Sequence, residues 1–214
     1  MRRRVHVLAS IAFLLAAVMS QTSWSAPSAD PASALDPRYD HSLGSPTAPV
    51  TVVEFASVGC PHCAAWANTA FPSFKARFID TGKVRFILRE MITGDPSLAV
   101  AGFLVANCAP EDRFFPIIDA IFADQEALAT GGGAALYKVA QTQSGMSVDA
   151  FSACLTDDKQ LNALETQTDA VARAHGVDAT PTFFVGGEKL EGDVTLDALG
   201  AAIARAESAS SGHR

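Results

Sequence analysis

Two thiols stand two residues apart in the stretch Ser57-Val58-Gly59-Cys60-Pro61-His62-Cys63. Three kinds of chemistry suit such a pair: a metal site, a static crosslink, or a dithiol that exchanges electrons. Structural zinc usually takes four Cys or His ligands from two separate clusters. Cys60 and Cys63 offer one cluster, but the other two cysteines, Cys108 and Cys154, are isolated from each other and from any second pair. A crosslink across so short a loop would restrict the unfolded chain very little, so its effect on stability would be small. Thiol–disulfide exchange is the reading that gives the spacing a mechanism.

That mechanism needs one cysteine exposed and ionised at the start of a helix, where free N–H groups and the helix dipole favour the thiolate. Cys60 follows an apolar stretch and Gly59, and Pro61 suits the first helical position because its missing N–H costs nothing there. Cys63 lies one turn further in, close and more buried, as a resolving thiol should be. His62 can add partial positive charge or a hydrogen bond near the sulfur. An ordinary exposed histidine is the plainer alternative.

The elements that must position these groups follow from pattern. Val50 to Ala56 is β-branched and apolar around Glu54, the signature of a buried strand. Pro61 to Asp80 reads as a helix with Trp66, Ala70, Phe74 and Phe78 on one side, kinked near Asn68 to Phe71 by Pro72. Val84 to Arg89 alternates as a second strand. Helical segments are expected at Pro96–Cys108, Arg113–Leu128, Ala134–Gln143, Val148–Leu155 and Asp158–His175. Strand character returns at Thr182 to Val185, and Gly186-Gly187 turns it into a hairpin with a partner around Lys189–Glu191. A helix from about Leu196 to Ala206 closes the pattern. Between strands and helices the order is β-α-β, a helical block, then β-β-α.

The N-terminus bears on compartment. Arg2, Arg3 and Arg4 precede an apolar run from Val7 to Met19 and then small and polar residues, the three-part pattern of a secretory signal peptide over residues 1–26. The run is short for a spanning helix, which needs roughly 20 residues; an uncleaved membrane anchor is the alternative. Losing these arginines takes the formal charge from −7 to −10, which argues against nucleic acid as a partner because a basic footprint is missing. Residues 27–45 read as a flexible leader and 209–214 as a polar tail. Export also places the cysteines where disulfides persist.

On Val53-Glu54-Phe55-Ala56-Ser57, on Cys60-Pro61-His62-Cys63 and on Ala179-Thr180-Pro181-Thr182-Phe183-Phe184-Val185, the chain resembles the DsbA-type thiol:disulfide oxidoreductases of the thioredoxin superfamily. The likeness runs from about Pro49 to Ala206. It implies an α/β thioredoxin fold, a central mixed β-sheet flanked by helices, formed by residues 46–92 and 176–208 and interrupted by an all-helical insertion at 93–175. It implies that Cys60 and Cys63 form a redox-active disulfide, that Pro61 and His62 tune it, and that Thr180 and a cis Pro181 present backbone to a substrate chain. An ordinary trans proline at a strand start is the alternative. Glu54 falls where the family carries a buried acid; on an apolar strand its pKa should rise, so that it exchanges a proton with Cys63. The alternative is a carboxylate reaching solvent at the sheet edge. Two leftover cysteines in an exported chain suggest a second, structural disulfide between Cys108 and Cys154, which some relatives carry in this block; two unpaired buried thiols remain open.

The resemblance further implies a monomeric periplasmic oxidase without cofactor or metal. Its partners would be reduced or unfolded exported proteins and a DsbB-like, quinone-linked membrane protein that restores the disulfide. Rival readings are an envelope isomerase or reductase, disfavoured because few residues precede the first core strand, and a non-catalytic metal-handling or chaperone-like binder.

Overall fold

The computed structural model describes residues 40–211, so the signal-peptide pattern and most of the proposed leader lie outside the described residues. Five strands form one mixed sheet in the order β1-β3-β2-β4-β5: β1 (His41–Leu43), β2 (Val50–Ala56), β3 (Val84–Glu90), β4 (Thr182–Val185) and β5 (Glu188–Glu191). β2 runs parallel to β3 and antiparallel to β4, which places it in the middle of the sheet. This is the thioredoxin-type α/β fold that the motifs imply, and helices fill the long connection between β3 and β4.

Alternation along β2 divides its side chains between two layers. Val50, Val52 and Ala56 face the larger core, where helix α1 (Pro61–Thr69) contributes Cys63, Ala64 and Trp66. Val53 and Phe55 point the other way, into a smaller cluster with Ile87, Met91, Val177 and Phe184. A residue at position 54 must therefore point toward the α1 side. Trp66 ties α1 to the sheet, its ring centroid 4.8 Å from Phe183 and stacked near Phe86.

The proline kink falls where the pattern puts it. α1 stops at Thr69, and a short α2 (Phe71–Phe74) restarts with Pro72 in its first turn before a wide turn over Lys75–Ile79. Helices α3 (Pro96–Cys108), α6 (Val148–Leu155) and α7 (Asp158–His175) have the expected bounds, each opened by a side-chain cap: Asp95, Ser147 and Asp157 accept from backbone N–H groups of the first turn.

Three expectations need correction. The segment expected at Arg113–Leu128 is broken: α4 covers Phe114–Ala123 and α5 covers Gln125–Ser144. The carbonyl of Phe122 accepts from Asn68 Nδ2 at 2.9 Å, so tertiary contact takes a group that helix continuation would use. α5 itself is kinked at Gly132, whose φ of 57° a glycine adopts without cost. The closing helix α8 (Leu196–Ser211) runs past Ala206 into the proposed polar tail, where Ser208, Ser210 and Ser211 bond their hydroxyls to the carbonyls of the preceding turn.

The third correction concerns the leader. Within 27–45, residues 41–43 form β1, an edge strand antiparallel to β3. Long-range contacts hold it. Asp40 accepts two bonds from Arg89, at 2.6 and 3.0 Å, with both side chains buried. His41 stacks on Phe114 and bonds Asn107, which donates to Glu90. Burial pushes the Glu90 carboxyl up to about 8, against the lowering effect of Asn107, with Asp40 adding to the rise. Removing one partner of a buried ion pair leaves the other charge uncompensated. Asp40→Ala is expected to destabilise the protein by about 3–5 kcal/mol, read from urea unfolding followed by circular dichroism.

Candidate active site

β2 delivers the chain to the site through a tight turn, Ser57 to Cys60, closed by a bond from Cys60 N to Ser57 O. Cys60 then caps α1 with extended backbone angles, and Pro61 occupies the first turn. The loop that leaves β3 wraps this turn. Ser57 Oγ donates to Thr93 O at 2.8 Å and accepts from Gly59 N and Thr93 N; Asp95 N donates to Gly59 O. The two backbones approach so closely that a Cβ on Gly59 would lie 2.2 Å from Asp95 O, and one on Gly94 would lie 2.0 Å from Gly59 O. Gly94 also has a φ of +73°. Only glycine fits at both positions.

Cys60 and Cys63 stand as thiols. Sequence pattern calls for an exposed Cys60, yet it is only 6% exposed, because the β3–α3 loop and the residues before β4 close around it; Cys63 is fully buried. The Thr180–Pro181 peptide is cis, and the Thr180 carbonyl accepts from Cys60 Sγ at 3.4 Å. Pro181 is buried and Thr180 half-buried at the edge of a groove that also involves His62, Trp66 and Asp193.

The two sulfurs are driven apart electrostatically. The hydrogen bond from the Cys63 thiol holds Cys60 far below the ordinary thiol range, at about 5. Burial opposes this, while the Thr180 side chain and the N–H groups of Cys63 and His62 add to it. Cys63 is pushed well up by the same bond, by burial and by the nearby Glu54. Glu54 is 3% exposed on the central strand, not at a sheet edge. Burial first, then the Cys60 charge, raises its pKa well above the usual carboxylate value. These shifts favour the anion at Cys60 and the protonated forms of Cys63 and Glu54 behind it.

His62 reaches the sulfur through its backbone N–H, with its exposed side chain at the groove. Cys108 and Cys154 are joined by a disulfide from the end of α3 to α6. Several contributors carry no signal in the sequence. Gln125, opening α5, donates to the carbonyls of Val58 and Cys60 at 2.7 and 3.2 Å. Thr93 bonds Thr180 through their hydroxyls at 2.7 Å. A Thr in a loop and a Gln at a helix start have no pattern to mark them; only Gly94, two residues before Pro96, hints at a turn.

A thioredoxin family model matches residues 37–205. A protein of Rickettsia typhi, provisionally named a protein-disulfide oxidoreductase, is 33% identical over 170 residues, covering 78% of this chain and 62% of that protein. The chain thus spans less than two thirds of the length of that relative. Among solved structures, Wolbachia pipientis α-DsbA1 superposes with a TM-score of 0.72 at 24% identity, covering 80% of this chain and 92% of the other. Oxidised BdbD from Bacillus subtilis gives 0.68 at 20% identity, covering 79% and 93%. These two structures share the fold.

The charge separation sets a pH signature. A depressed Cys60 pKa stabilises the reduced form in full above the ordinary thiol range, and the gain is lost as pH falls through about 5. Reduction then takes up one proton per two electrons above that pH and two below it. The potential is expected to change by about 30 mV per pH unit above, and about 59 mV below. The break should fall near pH 5, with no second break from Cys63 at neutral pH, in equilibrium titrations against glutathione.

Proposed function

The chain belongs to the thioredoxin family and has the DsbA-type architecture, and on that premise we propose that it is a thiol:disulfide oxidoreductase that introduces disulfides into exported proteins. The observation that carries this reading is the Cys60 thiolate at the head of α1, set against a buried, proton-holding Cys63. A disulfide whose reduced form is so stabilised is a strong oxidant.

The reaction runs in two exchanges. A substrate thiolate attacks Cys60 Sγ of the oxidised pair; the Cys60–Cys63 bond breaks and its electrons leave on Cys63. In this reading Glu54 carries a proton before the step, gives it to that leaving sulfur, and takes it back in the reverse direction; its raised pKa supports the role. A second substrate thiolate then attacks the substrate sulfur of the mixed disulfide, and Cys60 leaves as a thiolate. Its low pKa makes it a good leaving group, which drives release of oxidised substrate. The substrate loses two electrons and the enzyme pair gains them. A DsbB-like, quinone-linked membrane protein would take those electrons away.

The groove beside Thr180 and Pro181 is the proposed seat of the substrate chain, lying as an added strand against the backbone before β4. Export to the periplasm is proposed from the arginines and apolar run of residues 1–26. No helix among the described residues is long and apolar enough to cross a membrane. The same reading divides the chain into a thioredoxin-like unit, 46–92 with 176–208, and a helical insertion, 93–175, with the Cys108–Cys154 bridge as a structural crosslink and the protein acting as a monomer.

Cys60→Ser is expected to abolish oxidation of a reduced test peptide, whereas Cys63→Ala treated with oxidised glutathione should hold a stable Cys60–glutathione mixed disulfide, because the Cys60 thiolate displaces one glutathione and no resolving thiol remains, seen by mass spectrometry. Glu54→Gln should slow formation of the mixed disulfide, the step in which Cys63 leaves, by about a hundredfold at neutral pH, the low end for a lost general acid–base. A glutathione equilibrium placing the pair near about −270 mV, the thioredoxin value, rather than toward about −120 mV, would replace the oxidase with a reductase.

A further inference from the structure

The hydroxyl of Thr93 belongs to no element that carries the cysteines, yet it lies 2.7 Å from the hydroxyl of Thr180. Thr93 is itself fixed from both sides of its backbone by Ser57, whose Oγ donates to Thr93 O and accepts from Thr93 N. The same Ser57 Oγ accepts from Gly59 N, next to Cys60. The Thr180 carbonyl in turn accepts from the Cys60 sulfur at 3.4 Å, and the Thr180 side chain helps to hold the Cys60 pKa down. A closed path of hydrogen bonds therefore joins the turn before Cys60, the loop after β3 and the residue before Pro181.

We propose that Thr93 is a positioning residue for the exchange reaction: its hydroxyl donates to that of Thr180, turning the proton of Thr180 onto the Cys60 sulfur. The inference rests on the exchange role of Cys60 proposed above. Each hydroxyl has one proton to give. When Cys60 is an anion, the charge-assisted bond from Thr180 is the stronger use of the Thr180 proton. Thr180 must then accept from Thr93, and the two bonds polarise each other in the same direction. When Cys60 is bonded to another sulfur, the anion is gone and this preference lapses. The relay thus favours the reduced pair over the disulfide.

The groups that can carry charge near the sulfur are Cys63 and His62 on α1, Glu54 behind them on β2 and Asp193 at the far side of the groove. Thr93 and Thr180 add no charge, so replacing Thr93 leaves that inventory intact. A purely structural Thr93 would change stability and leave the sulfur alone.

The test measures Cys60 ionisation by thiolate absorbance and the glutathione equilibrium on the same full-length samples, with thermal midpoints recorded. Thr93→Val should lower the Cys60 ionisation constant about threefold, the effect of losing roughly a tenth to a third of a charge-assisted bond. The glutathione equilibrium should shift by the same factor, about 14 mV at 29.6 mV per tenfold, toward a more reducing pair. Thr93→Ser should restore both values. In a Thr180→Val background, Thr93→Val should add nothing, because the relay is already cut. If valine is not accommodated, Thr93→Ala carries the same comparison. An unchanged ionisation constant in the folded Thr93 variants, or an equal shift with and without Thr180, overturns the relay while the oxidase reading stands. A wild-type Cys60 that ionises like a free thiol overturns the oxidase reading itself, and the relay with it.

Discussion

Two sulfurs within hydrogen-bond reach must hold very different affinities for one proton, and the rest of the structure is arranged around that constraint. Cys60 sits where backbone N–H groups converge at the start of α1; Cys63, one turn deeper, is shut off from water. Burial alone would raise both. What separates them is direction. The helix terminus and the Cys63 thiol point donors at Cys60, whereas Cys63 has the apolar core and a carboxyl behind it. Glu54 can be neutral there because it lies on the central strand, packed between β3 and β4, where an ionised carboxylate would lack water.

Holding the anion in place requires a turn that cannot drift. The interlock of Gly59 with Gly94, the bridging Ser57 hydroxyl and the Gln125 side chain from α5 all bear on four residues of backbone. The loop after β3 and the start of α5 lie in the chain segment between the two strands of the motif-bearing sheet. The helical block is thus mechanically part of the site: Gln125 bonds the Val58 carbonyl and shares that of Cys60 with Ala64 N. At the far edge of the sheet, Asp40, Arg89, Glu90, Asn107 and His41 form a second buried polar group. Its effect is to pin a three-residue strand whose own apolar content is too small to hold it.

Much of this was legible without coordinates. The bounds of β2, α3, α6, α7 and β4 follow from apolar period, caps and glycine stops, because those signals are local and agree with one another. The kink before Pro72 and the Gly186-Gly187 hairpin are likewise properties of a few consecutive residues. Where α4 was expected to continue to Leu128, the competing partner of the Phe122 carbonyl, Asn68, is 54 residues away, and no local pattern encodes it. β1 carries no local signal for the same reason: His41-Ser42-Leu43 lacks alternation, and its partners lie on β3, α3 and α4.

The sequence by itself determined the candidate chemistry of this protein: two thiols one helical turn apart, a proline at the first helical position, an acid on an apolar strand and a proline before the returning strand. Those are covalent facts and short-range periodicities, and they survive without knowledge of the fold. Only the tertiary structure decided how the groups act on one another. It nearly buried Cys60 where exposure was expected, by closing the loops of Thr93 and Thr180 over it. It put Glu54 in the middle of the sheet, joined Cys108 to Cys154, and recruited Thr93 and Gln125 from segments with no sequence mark. The physical reason is that hydrogen bonds and desolvation depend on distance in space, while a sequence pattern reports only distance along the chain.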